Sequence, residues 1–106
     1  MESMSFSYAA RGAAKGRAVV GVVASGDLQV LLEPAAARTE IHITTSVEGK
    51  AAVWSALLER VFAAGELPAA RLDIDDCGAT PGVVRLRIEQ AFEEADSGAA
   101  LIKDER

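Results

Sequence analysis

Few side chains in this 106-residue sequence have the type and company that chemistry requires. His42 is the only histidine, and an imidazole titrating near neutrality suits general acid or base work. It lies in Glu40-Ile41-His42-Ile43-Thr44, where polar and apolar residues alternate, so it belongs to the wet face of a strand with no visible catalytic partner. Cys77 is the only cysteine. It has no companion for a disulfide or a multi-cysteine zinc site, and a lone thiol before Gly78 reads first as a small buried hydrophobe, second as a nucleophile. Asp73-x-Asp75-x-Cys77-Gly78 begins like a calcium loop, with acids first and third and glycine sixth. The twelfth position is Val84, where the bidentate glutamate belongs, so the match fails and no metal site is read. These acids instead precede the positive amino end of a helix, which favours them there. Gly12, Gly16 and Gly21 form neither a phosphate loop nor a dinucleotide fingerprint. No nucleophile, base and orienting group come together. Ser25, in Ala24-Ser25-Gly26-Asp27, offers one hydroxyl on a turn, and turn chemistry alone accounts for a serine there.

The elements that must position these residues follow from periodicity. Ala18 to Ala24 and Leu28 to Leu32 are β-rich runs of strand length separated by Ser25-Gly26-Asp27, which predicts a hairpin. A two-residue type II′ turn, Gly26 first and Asp27 second, would set Val23 against Val30 and Gly21 against Leu32, with Ser25 exposed at the tip. Pro34 ends the second strand, and Glu40 to Thr45 alternates as a third. Val53, Trp54, Leu57, Leu58, Val61 and Phe62 have helical spacing, closed by Gly65 and Pro68. Leu72-Asp73-Ile74-Asp75 is a fourth strand. Thr80 and Pro81 are N-cap and first residue of a last helix with Val84, Ile88, Ala91, Phe92 and Ala95 on one stripe.

The order β-β-β-α-β-α predicts an α+β, two-layer sandwich. A mainly antiparallel four-stranded sheet carries both helices on one face, because two apolar stripes need one common apolar surface. Val23, Val30, Leu32, Ile41, Ile43, Leu72 and Ile74 are the expected sheet side of the core. Residues 1–106 form a single domain at this length, with 1–16 a loose arm or short edge strand and 97–106 a frayed, flexible tail.

Composition narrows the partners. Half the residues are apolar, yet 21 are alanine, so the core is modest. The net charge of −5 argues against nucleic acid and anionic membranes, both of which attract basic patches. No apolar run approaches the roughly 20 residues that span a bilayer. Arg11, Lys15 and Arg17 ahead of Ala18 to Ala24 resemble a targeting peptide, but the run is short and ends in Ser25-Gly26-Asp27, so the chain is read as unprocessed and, with its lone cysteine, cytoplasmic.

Three blocks in order carry a family likeness. Val22-Val23-Ala24-Ser25-Gly26-Asp27-Leu28-Gln29-Val30-Leu31-Leu32-Glu33-Pro34, then Thr44-Thr45-Ser46-Val47, then Asp76-Cys77-Gly78-Ala79-Thr80-Pro81-Gly82-Val83-Val84-Arg85-Leu86-Arg87-Ile88-Glu89-Gln90-Ala91 resemble the acyl carrier, or delta, subunits of malonate decarboxylase. The related gamma acyl carrier subunits of citrate lyase share the Ser-Gly-Asp turn and the Arg-x-Arg-x-Glu helix. The Ala79 to Arg87 stretch favours the malonate family over this alternative. The likeness runs from about Arg17 to Glu94; Ala24 departs from the Gly or Glu of relatives, a small change.

The resemblance implies a non-catalytic carrier. The family's modified serine falls on Ser25, to which 2'-(5''-phosphoribosyl)-3'-dephospho-coenzyme A is joined through a phosphodiester, with Gly26 and Asp27 as candidate partner contacts. Acetyl on this arm is exchanged for malonyl by an acyl-transferase (malonyl transferase) subunit, and decarboxylase subunits regenerate acetyl, the thioester giving malonate an electron sink. A dedicated prosthetic-group transferase attaches the arm. Tethering replaces free collision by a high effective concentration. Taken without the resemblance, the residues leave open an α+β interaction module with an unmodified turn, or a small enzyme using Cys77 or His42.

Overall fold

The computed structural model describes residues 1–104. The chain runs β1 (Glu2–Ala9), β2 (Ala18–Gly21), β3 (Asp27–Pro34), β4 (Arg38–Thr45), α1 (Ala51–Phe62), β5 (Ala70–Cys77) and α2 (Pro81–Asp104). The α+β class and the two-layer arrangement are as read from the sequence, but the sheet has five strands, in the order β1-β4-β5-β3-β2. The fifth is β1. Of the two readings of the amino-terminal stretch, a loose arm or a short edge strand, residues 2–9 take the second: Ser3, Ser5 and Ser7 alternate with Met4, Phe6 and Tyr8, and this edge strand pairs antiparallel with all of β4. Three pairings are antiparallel, and β4 with β5, joined through α1, is parallel.

Period-two alternation across all five strands builds the core. One row runs Met4, Ile43, Ile74, Val30 and Val20, and the next runs Phe6, Ile41, Leu72, Leu32 and Ala18. On this face lie Trp54, Leu58 and Phe62 of α1 and Val84, Ile88, Ala91 and Ala95 of α2, all buried. Tyr8 stacks on Phe62 with ring centroids 5.4 Å apart, and Phe62 meets Phe92 at 6.0 Å. These offset aromatic contacts tie β1, α1 and α2 together. Leu57, Val61 and Phe92 pack against the core half-buried. The opposite face carries the row Ser5, His42, Asp73, Leu31 and Val19, and among the described residues no helix covers it.

Of the two helix starts, only that of α2 carries the side-chain cap that elementary chemistry predicts. Thr80 caps α2 through its Oγ1, which accepts from Val83 N at 3.3 Å, with Pro81 in the first turn where a missing N–H costs nothing. Lys50 precedes α1 with no side-chain cap. α2 runs on to Asp104, through most of the stretch 97–106 read as a tail; 105 and 106 lie outside the described residues.

The hairpin is also shorter than predicted. Ala18 pairs with Leu32, Val20 with Val30 and Gly21 with Gln29, so neither the Val23 to Val30 pair nor the Gly21 to Leu32 pair forms. Gly21 takes φ +79°, a turn that an extended strand cannot absorb, and the chain leaves the sheet there. A Cβ on Gly21 would lie 2.0 Å from the Leu28 carbonyl oxygen, so only glycine lets the two backbones approach so closely. Val22 and Val23 are accordingly exposed, at 54% and 59%, and Val23 is not in the core.

Candidate functional site

Topology gathers one end of the sheet. Because β4 and β5 are parallel, both finish at the end where α1 and α2 begin; β3 is antiparallel to β5, so it starts there, with Asp27 opposite Cys77. The segment Val22 to Gly26 caps this end. Asp27 N donates to Ala24 O at 2.9 Å, closing a turn with Ser25 and Gly26 at its centre. Gly26, at φ +79°, is the third residue, as a type II turn demands, so the type II′ reading with Asp27 inside the turn is corrected. Gly26 N also donates to Cys77 O at 2.7 Å, fastening the turn to the last residue of β5.

Asp27 braces the other side. Its Oδ1 accepts from its neighbour Leu28 N at 2.7 Å and from Arg87 Nε at 3.1 Å, and its Oδ2 accepts from Arg87 Nη2 at 2.8 Å. Arg87 Nη1 donates onward to Gln90 Oε1 at 3.1 Å. This two-pronged pair joins the base of the turn to α2 with planar, directional bonds. The Arg87 hydrogen bonds, then the Leu28 amide, hold the Asp27 carboxyl below its ordinary value, and the same contact raises the Arg87 guanidinium. Sequence reading assigned Arg87 no part in the site. The two residues are 60 positions apart, and no local pattern links a turn acid to one of several helix arginines.

Ser25 is exposed on this braced turn. The bonds that fix the turn run through the Gly26 and Asp27 backbones and the Asp27 carboxylate, which leaves Ser25 Oγ to solvent. A Cβ placed on Gly26 would meet nothing within 4 Å, so the space beside Ser25 is open.

A second brace was also invisible in the sequence. Asp76, buried at the end of β5, accepts from Thr45 Oγ1 at 2.8 Å, Gly78 N at 3.1 Å and Ala79 N at 3.0 Å, while Thr45 Oγ1 accepts from Val47 N at 3.0 Å. One carboxylate thus satisfies the turn into α2 and pins it to the end of β4. Its three donors offset the cost of burying a charge.

The remaining chemical candidates stay apart. His42 stands on the open face, its Nδ1 3.1 Å from Ser5 Oγ, and Arg71 pairs with Asp73 at 3.2 Å. Cys77 is half-buried, and its backbone oxygen serves the Ser25 turn. Among the described residues no three His, Cys, Asp or Glu side chains cluster as a metal site would require.

Comparison with known proteins finds similarity over most of the chain. The family described as the malonate decarboxylase delta subunit covers residues 15–95. The malonate decarboxylase acyl carrier protein of Azotobacter vinelandii is 56% identical over 98 residues, covering 92% of this chain and 99% of that protein. Its counterpart in Pseudomonas aeruginosa is 56% identical over 96 residues, covering 90% and 97%. A chain in the crystal structure of a Pseudomonas malonate decarboxylase hetero-tetramer in complex with malonate superposes with a TM-score of 0.86 at 53% identity, over 90% of this chain and 99% of that one.

Proposed function

Because the chain belongs to the malonate decarboxylase delta subunit family, as an acyl carrier and not a catalytic subunit, we propose that Ser25 carries 2'-(5''-phosphoribosyl)-3'-dephospho-coenzyme A through a phosphodiester. The exposed, unengaged hydroxyl on a turn braced from both sides is the observation that supports this most. When bound, the group supplies a thioester that holds acetyl or malonyl and gives the malonyl carboxylate an electron sink.

The protein's own residues have three tasks. Ser25 Oγ bonds to the phosphorus of an activated polyphosphate form of the donor as that phosphorus loses its bond to the departing pyrophosphate; the serine proton passes to a base of the attaching transferase, since the adjacent carboxylate, Asp27, is committed to Arg87. Asp27 is also the wrong attachment point, because a carboxylate oxygen on phosphorus gives a labile mixed anhydride. Gly26 and its bond to Cys77 O hold the serine outward, and Gly26 leaves room for a partner enzyme to close over it. The Asp27–Arg87 pair fixes the root of the turn, so that Ser25 stays aimed away from the sheet. Arm flexibility then begins beyond the protein, and effective concentration at each partner site follows from the tether.

Partners in this reading are the acyl-transferase and decarboxylase subunits and the prosthetic-group transferase, in keeping with the hetero-tetramer in which the similar Pseudomonas chain is found. A cytoplasmic location fits the unpaired Cys77, and no helix among the described residues is long and apolar enough to cross a membrane. Intact mass of the chain after incubation with the prosthetic-group transferase tests the proposal: a gain of one group is expected, and an unchanged mass counts against it.

A further inference from the structure

An apolar groove between α1 and α2 opens beside the Ser25 turn. Its near part, of about 340 Å³, is floored by the buried Trp54 and Val84 and walled by Val47 and Gly78. Its far part, of about 520 Å³, shares Val53, Leu57 and Pro81 with the first and ends at Arg60 and Arg85. The two parts adjoin at these shared residues and together follow α1 from Lys50 to Arg60 beside the first turns of α2. Continuity with the turn is direct: a Cβ on Gly78 would lie 3.9 Å from Val47 Cγ2 and 4.0 Å from Gly26 N. The channel thus starts one residue from Ser25.

Its lining has a definite polarity. Val53 leaves 46% of its surface in water and Leu57 is half-buried, an apolar strip left uncovered among the described residues. Asp76 borders the near part, but its oxygens are occupied by Thr45, Gly78 and Ala79, so the floor carries no free charge. In a chain of net charge −5, the cations here stand out: Lys50 at the mouth, and Arg60 and Arg85 at the far end. Arg60 has no ion pair among the described residues, and Arg85 has only an exposed pair with Glu89 at 3.3 Å, which exchanges readily with another carboxylate. An apolar path ending in guanidinium groups suits the thioester end of such an arm, which is uncharged beyond its phosphates and, when malonyl is loaded, anionic at its tip.

We propose that this groove is the resting seat of the acyl end of the arm on Ser25, and that Arg60 and Arg85 favour the malonyl form by binding its free carboxylate. The inference rests on the attachment proposed above. Acetyl ends in a methyl group and gains only the apolar lining, whereas malonyl gains the cations too. The loaded substrate is held against the carrier until a decarboxylase subunit competes for it, and the acetyl product swings free. No covalent step is involved, only a choice between docked and free arms.

The test uses the carrier in acetyl and malonyl forms, each verified by intact mass, with backbone amide spectra and Trp54 fluorescence as readouts. Amide shifts at Val53, Leu57 and Gly82 are expected in the malonyl form, with docked population about threefold above the acetyl form, the scale of one exposed ion pair. The Arg60→Gln, Arg85→Gln double variant, altered only at exposed positions, should load normally and show acetyl-like shifts in its malonyl form. A verified malonyl carrier whose groove residues are unmoved from the unloaded chain overturns the inference and leaves the attachment at Ser25 standing. Shifts that persist in the double variant overturn the selection by carboxylate. A chain that gains no mass removes the attachment and this inference together.

Discussion

Gly21 and Gly26 share φ +79° but not surroundings, and that difference makes a quantitative test of how the Ser25 turn is held. Alanine at either site pays for the left-handed backbone, about 1 to 2 kcal/mol. At Gly26 that is the whole cost, because the added methyl meets nothing within 4 Å. At Gly21 the methyl lies 2.0 Å from Leu28 O and 3.3 Å from Arg87 Nε. The first contact is with backbone and cannot be relieved by a rotamer change, so the end of β2 must part from β3 at the Gly21 to Gln29 pair. Losing at least one ladder hydrogen bond, about 1 kcal/mol, and spreading the strands brings Gly21→Ala to about 3 kcal/mol. Urea denaturation of the two variants and the parent measures this directly. At about 4 to 8 °C per kcal/mol for a domain of this size, Gly21→Ala should also melt at least about 4 °C below Gly26→Ala. Equal losses would show that the close approach of β2 to Leu28 does not constrain the turn, and the account of why the hairpin stops at Gly21 would be wrong.

Other expectations concern the braces and the core. Thr45→Val deletes a buried hydroxyl that donates to the Asp76 carboxylate and should cost about 1.5 to 3 kcal/mol in denaturation, more than Thr44→Val on the other face. The folded Asp27 carboxyl sits below its unfolded value, so its pairing with Arg87 contributes stability above the unfolded value of about 3.9 and loses it as pH falls through the folded one. The stability gap between parent and Asp27→Asn should therefore be flat near neutrality and shrink below about pH 4; a gap that widens in acid would reverse the assigned direction. Leu72→Ala, at a fully buried site in the second cross-sheet row, should cost about 2 to 5 kcal/mol by the same assay.

What could be read from the sequence was what local periodicity encodes. Ile41 and Ile43, Leu72 and Ile74, and the Thr80-Pro81 start of α2 are each fixed by neighbours within a few residues, and each is where the pattern put it. The alternation of Ser3 to Tyr8 allowed a short edge strand but did not decide it against a loose arm, because serines between single apolar residues are a weak signal beside the β-branched runs that follow. Val22 and Val23 failed the opposite way: strand-forming side chains were overruled by one glycine whose backbone turns left-handed against Leu28. Ser97 to Asp104 continues a helix that a reading based on the apolar stripe ended at Ala95. The site divides similarly. Ser25 on an exposed turn was local information, whereas the Arg87 and Thr45 braces join residues that only the sheet order brings together.

The attachment at Ser25 is tested most directly by the intact mass of the parent and of Ser25→Ala after both are incubated with the prosthetic-group transferase and its donor. The substitution removes one solvent-facing hydroxyl and should change stability by no more than about 0.5 kcal/mol, so a folded variant is available for comparison. The parent should gain the mass of one phosphoribosyl-dephospho-coenzyme A group and the variant none. An equal gain in both chains would place the group on another residue and contradict the role given to Ser25.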